Sequence, residues 1–486
     1  MLPVLLDDAL DATDGGFTLA VSLPWIRSLP LAGVIDLTVT IDGEPVEVEV
    51  RLGRRRVSPG ALSTEPGWWF VQDRLMLEGR RMLRPGAHDV AVSFALVVPY
   101  LQAGSEGPLT LSFRADAALE NPAPGTRPAS PGAASTTPDP RPAEAAPAPD
   151  GSWALSASAF NWTPEIIRAE RDALDIVAGI VEAGIAPTIE VEPGQLWRSF
   201  PEPTSLDVLA FRERLELAGG AVTILGGSID DWGSSGRRRT EAERLAFLTP
   251  QLRAAAQLGA RGVRVPFGQA GPELLRLLQP VLAELDIVLY EEIQGQQTLD
   301  VAANAANLEL LEELDDPRIR VLIDISMLMP SLPTSYLAAL RDAGVCGALV
   351  DRLASDWRAP DTHAAVLGAL RGGEVPGVAH TLFMNLLVRF GRSTIDDVAP
   401  LLPLTEGVHL KFWDLDDTDA RVSGPIADIG GALRSAGFTG TLTSEWGGHE
   451  WLDDDPVAMT RAHLALARAA LGDRAPMTTA HRTDHR

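Results

Sequence analysis

The sequence predicts an α/β fold, a TIM (β/α)8 barrel with an N-terminal all-β sandwich, and three observations carry this. Short alternating, β-branched runs bounded by turn residues occupy residues 1–116. A Pro/Ala-rich stretch follows. From residue 151 to 472, short apolar runs alternate with amphipathic segments of helix-forming composition, which is the signature of repeated βα units.

In the first region the strand-like runs are FTLAVSLPW, VIDLTVTI, VEVEVRLG, WWFVQ, HDVAVSFALVVPYL and LTLSFRA. Asp42-Gly43 between two of them is a strong hairpin signal, because both residues tolerate positive φ. Trp68 and Trp69 are neighbours in a strand and must point to opposite faces, so one of them needs cover from a partner surface. The region lacks clustered His, Cys or spaced carboxylates and reads as a scaffold or a lid. Residues 117–150 read as a linker: from Asn121 to Asp150 there are 9 Pro and 8 Ala and almost nothing large and apolar.

Eight strand candidates follow in residues 151–472: WALSASA, APTIEVE, AVTILGG, RGVRVPF, DIVLYEE, RVLIDIS, GVHLKFW and GTLTSEW. Between them the helical segments run Glu165 to Ala183, Leu206 to Leu217, Glu241 to Leu258, Glu273 to Leu285, Ala302 to Leu314 and Ile426 to Ala436. The interval between the sixth and seventh strands is too long for one βα unit. It predicts inserted helices from Thr334 to about Leu402, placed to overhang the barrel mouth. Residues 473–486 read as a disordered tail.

A net charge of −25 argues against a nucleic-acid partner, since phosphate binding requires clustered Lys and Arg. The single Cys346 precludes an internal disulfide, and its apolar surroundings, GVCGALV, predict a buried structural thiol. No run approaches the ~18 apolar residues that span a bilayer, and the N-terminus lacks the basic region of a leader. These features predict a soluble cytoplasmic protein with neither membrane nor nucleic acid as partner.

The stretch EGVHLKFWD alternates Val408, Leu410 and Phe412 with His409, Lys411 and Trp413, so a polar face is turned into the structure. Three other strand candidates end in carboxylates: Glu291 and Glu292, Asp324, and Glu445. In a TIM barrel the C-terminal strand ends share one mouth, so Glu292, Asp324, His409 and Glu445 converge from the last four strands. Three carboxylates and one imidazole make a hard, mostly oxygen donor set that suits Mn²⁺, with Mg²⁺ as the alternative. Glu291 and Glu292 point opposite ways, and only one of them can face the mouth.

EEIQG, LIDIS, VHLKFWD and SEWGG, in that order, resemble the xylose-isomerase-like TIM barrels of the sugar phosphate isomerase/epimerase superfamily. The resemblance implies that Glu292, Asp324, His409 and Glu445 are metal ligands. Members often carry His two residues after the first metal Glu; Gln294 stands there in this chain, which leaves the base unassigned. HLKFWDLDD and SEWGGHEWLDDDP also resemble the α subunit of the C-glycoside deglycosidases. LLDDAL, WWFVQD and LRPGAHDVAVSFALVVPYL resemble that family's small β subunit, so the chain reads as a fusion with the β part first.

What the resemblance implies is a metal-dependent lyase acting on a small-molecule 3-oxo-C-glycoside, with contact between sandwich and barrel inside one chain and a homo-oligomer left open. Candidates for proton transfer are Lys411, His449, Glu291 and His380. Candidates for the substrate pocket are Glu190, Arg264, Trp232, Gln294, Trp413 and Trp446, with Arg264 expected to face inward against Glu190 or Glu292. The competing readings are a divalent-metal sugar isomerase or epimerase, and a non-catalytic carbohydrate-binding or assembly protein.

Overall fold

The computed structural model describes residues 4–103, 107–121, 153–233 and 236–472. Most of the expected linker and all of the expected tail lie outside these residues. The N-terminal domain is built of antiparallel sheets, one of five strands and one of four, with a two-stranded ribbon beside them. Its last strand runs Gly107–Asn121, five residues beyond the boundary expected at 116. Asp42 and Gly43 both take positive φ (54° and 78°), and Ile41 pairs with Glu44 across them. That geometry is the two-residue turn whose twist matches paired strands.

The C-terminal domain is a closed parallel barrel. Its strands are β1 (Leu155–Ser158), β2 (Thr188–Val191), β3 (Ala221–Gly226), β4 (Gly262–Pro266), β5 (Val288–Ile293), β6 (Ile319–Asp324), β7 (Thr405–Phe412) and β8 (Thr441–Trp446). Seven of the eight carry β-branched residues, and only β1, LSAS, has none. Alternation then sends Val263, Leu289, Val321, Val408 and Leu442 outward into one helix-covered core. Inside the barrel, Ile224, Tyr290 and Leu322 fill the floor, and the polar side chains stand above them.

Two expectations for this domain need correction. The first helix, expected over Glu165 to Ala183, is two helices, Thr163–Arg168 and Ala173–Glu182. Ala169 adopts left-handed φ (56°), and Asp172 restarts the helix by accepting the Leu174 N–H at its N-cap. Cys346 is exposed rather than buried. It directly precedes the helix Gly347–Ser355, which turns Val350 and Leu353 inward and leaves the thiol outside.

Between β6 and β7 lie the inserted helices Thr334–Asp342, Gly347–Ser355, Pro360–Arg371 and His380–Val388. They share a small core of their own with Tyr336, Trp357, Phe383 and Phe390. Trp413, just past the end of β7, belongs to that core, so the insertion is anchored at the mouth side of the barrel.

The two domains pack directly on each other. Trp69 is buried in the sandwich, while Trp68 covers Phe200 and Phe247 of the barrel domain with ring centroids 4.8 and 6.1 Å apart. Buried Gln72 donates to the carbonyls of Ile166 and Arg171 and accepts from the Ala173 N–H. Ser28 donates to the Gly194 carbonyl through both N–H and Oγ–H. Arg27 reaches Asp230 at 2.8 Å, with its guanidinium 3.9 Å from the Tyr100 ring centroid. Gly194 and Asp230 follow β2 and β3, so the sandwich braces loops at the mouth end.

Behind β7, His463 stacks on Phe412 with centroids 3.8 Å apart and hydrogen-bonds Ser444 Oγ through Nδ1. Burial lowers its pKa from 6.5 to about 3. The unfolded chain therefore takes up a proton at His463 before the folded one does. The stability this group contributes is complete above pH 6.5 and is lost as the pH falls toward 3. Unfolding free energy should drop by about 2 kcal/mol from this group between pH 6.5 and 5, at ~1.4 kcal/mol per pKa unit. Urea melts of His463→Gln across that range should show the slope removed, and a variant with the wild-type slope would refute the assignment.

Candidate metal centre

The ends of β5 to β8 deliver Glu292, Asp324, His409 and Glu445 to the mouth. Asp324 pairs in register with His409, and Lys411 pairs with Glu445, so the strand ladder itself sets these side chains beside one another. One donor atom each from Glu292, Asp324 and His409 lies within 4.8 Å of the others. His409 Nδ1 stands 2.8 Å from Glu292 Oε1 and 2.7 Å from Glu445 Oε2. The other oxygen of Glu445 is held by Lys411 Nζ. The four residues expected to converge are together, and all are buried.

Behind them is an ionic shell. Glu190 Oε2 is 2.8 Å from His409 Nε2, and its Oε1 accepts from Arg264 Nε at 2.7 Å. Arg264 also donates to Glu192 and to Glu292 Oε2, so one guanidinium fork serves three carboxylates. Glu192 reaches it across β3 at Gly226, where a Cβ would stand 2.1 Å from Glu192 Oε1; no larger residue fits there.

Five carboxyl groups (Glu190, Glu192, Glu292, Asp324 and Glu445) thus face two basic side chains, Arg264 and Lys411, and one imidazole. Burial works against a charge on His409. Glu190, Glu445 and Glu292 outweigh it and hold the imidazole pKa well above its usual value. Burial drives Asp324 up to about 6 despite Lys411, and drives Glu192 up to about 7 despite Arg264. Burial also acts on Glu445, but Lys411 and His409 bring it well below the carboxylate range.

Three buried polar atoms aimed at one another, Asp324 Oδ2, His409 Nδ1 and Glu445 Oε2, have no aligned hydrogen bond. Buried acceptors with excess negative charge are costly unless a cation joins them. The residues present therefore fit a hard divalent ion. Glu190 bonded to Nε2 leaves Nδ1 as the nitrogen facing that position, the arrangement in which an outer carboxylate orients a ligating imidazole. Glu190→Gln should weaken divalent-ion binding by ~10- to 100-fold, measured by competition with a chelating dye; unchanged affinity would show that Glu190 has no such part.

The remaining candidates separate clearly. Lys411 is buried at the mouth, with Nζ 5.0 Å from the Phe160 centroid and 5.4 Å from that of Trp413. His449 packs on Phe160 at 4.9 Å. Glu190 was expected to touch substrate, but its side chain is wholly enclosed between Arg264 and His409 and serves to position them. Arg264 is likewise consumed by its three carboxylates.

Glu291 is not at the mouth. It points out through the barrel wall to Asn307 and the Gly268 N–H, as its alternation with Glu292 requires. Burial raises its pKa to about 7. His380 is an exposed residue at the start of an inserted helix, with Nε2 tied to the Val375 carbonyl.

Among the aromatic candidates, Trp446 is core: it alternates with Glu445, faces outward and donates to the Trp413 carbonyl. Trp413 stacks on Trp451 and donates to Met329 Sδ, as part of the insertion core. Trp232 is buried and its N–H donates to Pro99 of the sandwich, so it serves the domain junction. Gln294 stays exposed two residues past Glu292. Phe160, half-buried beyond β1 and flanked by Lys411 and His449, was missed; an aromatic after a short strand carries no distinguishing sequence signal.

No family model matches the chain. It is 26% identical over 335 residues to the 3'-dehydrocarminate deglycosidase alpha subunit of a Microbacterium species, covering 66% of this chain and 95% of the relative. It is 25% identical over 325 residues to a C-glycoside deglycosidase alpha subunit of Arthrobacter globiformis, covering 65% and 92%. A separate match, 28% over 114 residues, is to the Microbacterium 3'-dehydrocarminate deglycosidase beta subunit, covering 22% of this chain and 86% of that one.

Among solved structures, a D-psicose 3-epimerase superposes at TM-score 0.41 with 15% identity, over 66% of this chain and 99% of that one. A 3-keto-D-glucoside 4-epimerase from E. coli superposes at 0.35 with 14% identity, over 65% and 100%. The fold assignment rests on the closed eight-strand order itself. Across 66% of its length, the chain is similar to the 3'-dehydrocarminate deglycosidase alpha subunit.

Proposed function

We propose that the chain is a divalent-metal-dependent lyase that cleaves the carbon–carbon bond of 3-oxo-C-glycosides, with Mn²⁺ as the preferred ion. The sandwich would be the beta component joined to the alpha component in one polypeptide. The observation that carries this reading is the buried, cation-deficient cluster of Glu292, Asp324, His409 and Glu445 in a barrel homologous to deglycosidase alpha subunits. The 114-residue beta-subunit match has the size of the sandwich, which supports the fusion.

A C-glycosidic bond has no leaving oxygen to protonate, so the two-carboxylate route of ordinary glycosidases is closed to it. A ketone at C3 makes the C2 proton acidic. Its removal lets the aryl carbon at C1 depart by elimination. A divalent ion, when bound, supplies Lewis acidity toward the sugar oxygens. Glu292, Asp324, His409 and Glu445 would hold it, while Glu190 and Arg264 fix their orientation.

Lys411, aimed by its contact with Glu445, donates a hydrogen bond to a substrate oxygen on which negative charge develops. Phe160 offers an apolar face beside that ammonium for the aromatic part of the substrate.

Incubation of the purified protein and Mn²⁺ with a 3-oxo-C-glucoside tests the reading. Free aglycone should appear, and EDTA should stop its release. Sugar epimers without aglycone would instead make the protein an isomerase or epimerase, and a chain that retains no divalent ion would favour a binding role.

A further inference from the structure

We propose that His449 is the catalytic residue that takes the C2 proton of the substrate and returns it to the departing carbon. This inference rests on the lyase reading above. His449 lies in the short 3-10 turn Gly448–Glu450 after β8, four residues beyond Glu445. Two aromatic rings fix its plane: Phe160 at 4.9 Å and the edge of Trp446 at 5.6 Å. Lys411 Nζ approaches the same Phe160 ring at 5.0 Å, so His449 and the oxygen-binding ammonium share one aromatic wall.

The Nε2 atom of His449 is buried and without a hydrogen-bond partner among the described residues. No other candidate combines a free nitrogen with a place at the mouth. The ring of His409 is enclosed by Glu190, Glu292 and Glu445, and His463 sits behind β7 against Phe412. His380 is engaged by a carbonyl, and Glu291 faces a helix.

The charged groups around His449 are Lys411, Arg389 and Glu445, with Glu450 paired to Arg389. Burial, then Lys411 and Arg389, push the imidazole pKa down to about 3, so at rest the ring is neutral and can accept a proton. A proton placed there between two cations is readily surrendered.

The step balances without an oxidant. Nε2 takes the proton from C2, and the C2–H electron pair becomes the C1=C2 bond by way of the 3-ketone enolate. The C1–aryl bond breaks with its pair on the aryl carbon, which then receives the proton from Nε2–H.

His449→Gln and His449→Ala test this by two readouts, C2–H exchange in D₂O followed by mass spectrometry, and aglycone release. Both rates should fall by at least ~10²-fold, with bound metal and thermal midpoint at wild-type values. Exchange at the wild-type rate, or loss of metal together with activity, overturns the proposal. Substrate deuterated at C2 should deliver deuterium to the aglycone carbon, and its complete absence there overturns the return step. A wild-type protein that exchanges C2–H yet releases no aglycone refutes the lyase reading, while the exchange rates of the variants still decide whether His449 is the base.

Discussion

Replacing His409 with alanine is expected to lower aglycone release by ~10³-fold or more, the loss of about 4 kcal/mol of transition-state stabilisation that a bound Lewis acid supplies. It should also leave the purified protein without stoichiometric divalent ion. The reason is geometric. His409 is the centre of the constellation: Nε2 on Glu190, and Nδ1 within 2.8 Å of Glu292 and 2.7 Å of Glu445. Without the ring, the carboxylates lose both their proposed nitrogen co-ligand and the group that sets their spacing. Elemental analysis after dialysis, alongside the activity assay, checks the prediction. A His409→Ala protein that keeps its metal and its rate would remove the site from consideration.

The second large effect is on stability. Arg264 carries Glu190, Glu192 and Glu292 at once, and its own side chain is only 15% exposed. Removing one partner of a buried ionic network leaves the other charges uncompensated, a loss of ~3–5 kcal/mol. Arg264→Ala should therefore unfold at markedly lower urea than wild type in the presence of EDTA. The sign of the pH dependence follows. The stranded carboxyls would have folded-state pKa values raised above their unfolded ones, so the deficit should grow as the pH rises and shrink as protonation neutralises them. Arg264→Lys should recover only part, because an ammonium cannot reproduce a planar fork with three acceptors. Equal midpoints for wild type and Arg264→Ala at pH 8 would show that the network contributes nothing to stability.

These two expectations separate function from scaffold in one small volume. His409 sits where the chemistry is proposed to occur, and Arg264 sits one layer behind it. The difference was only partly legible in the sequence. Inward placement of Arg264 was expected from its strand run; alternation also required that only one of Glu291 and Glu292 face the mouth, and the family resemblance chose Glu292. The same alternation, applied one residue past Glu445, would have placed Trp446 outside the barrel, where it is found. Trp413 escaped the rule because β7 ends at Phe412 and the next residue enters the insertion core. Glu190 was expected to meet substrate because nothing in a linear chain reveals that His409, 219 residues away, closes over it.

What the sequence determined by itself was the architecture and the convergence of Glu292, Asp324, His409 and Glu445. Eight apolar runs of period two, spaced by amphipathic segments, admit few closed solutions, and closure brings the ends of the last four strands together whatever the loops do. What only the tertiary structure decided was the division of labour at the mouth. Which carboxylate is enclosed behind His409 rather than facing the cluster, which histidine at the mouth keeps a free nitrogen, and which loops the sandwich braces all depend on cross-barrel distances of a few ångströms. Hydrogen bonds and ion pairs discriminate at that scale, and the order of residues along a chain does not encode it locally.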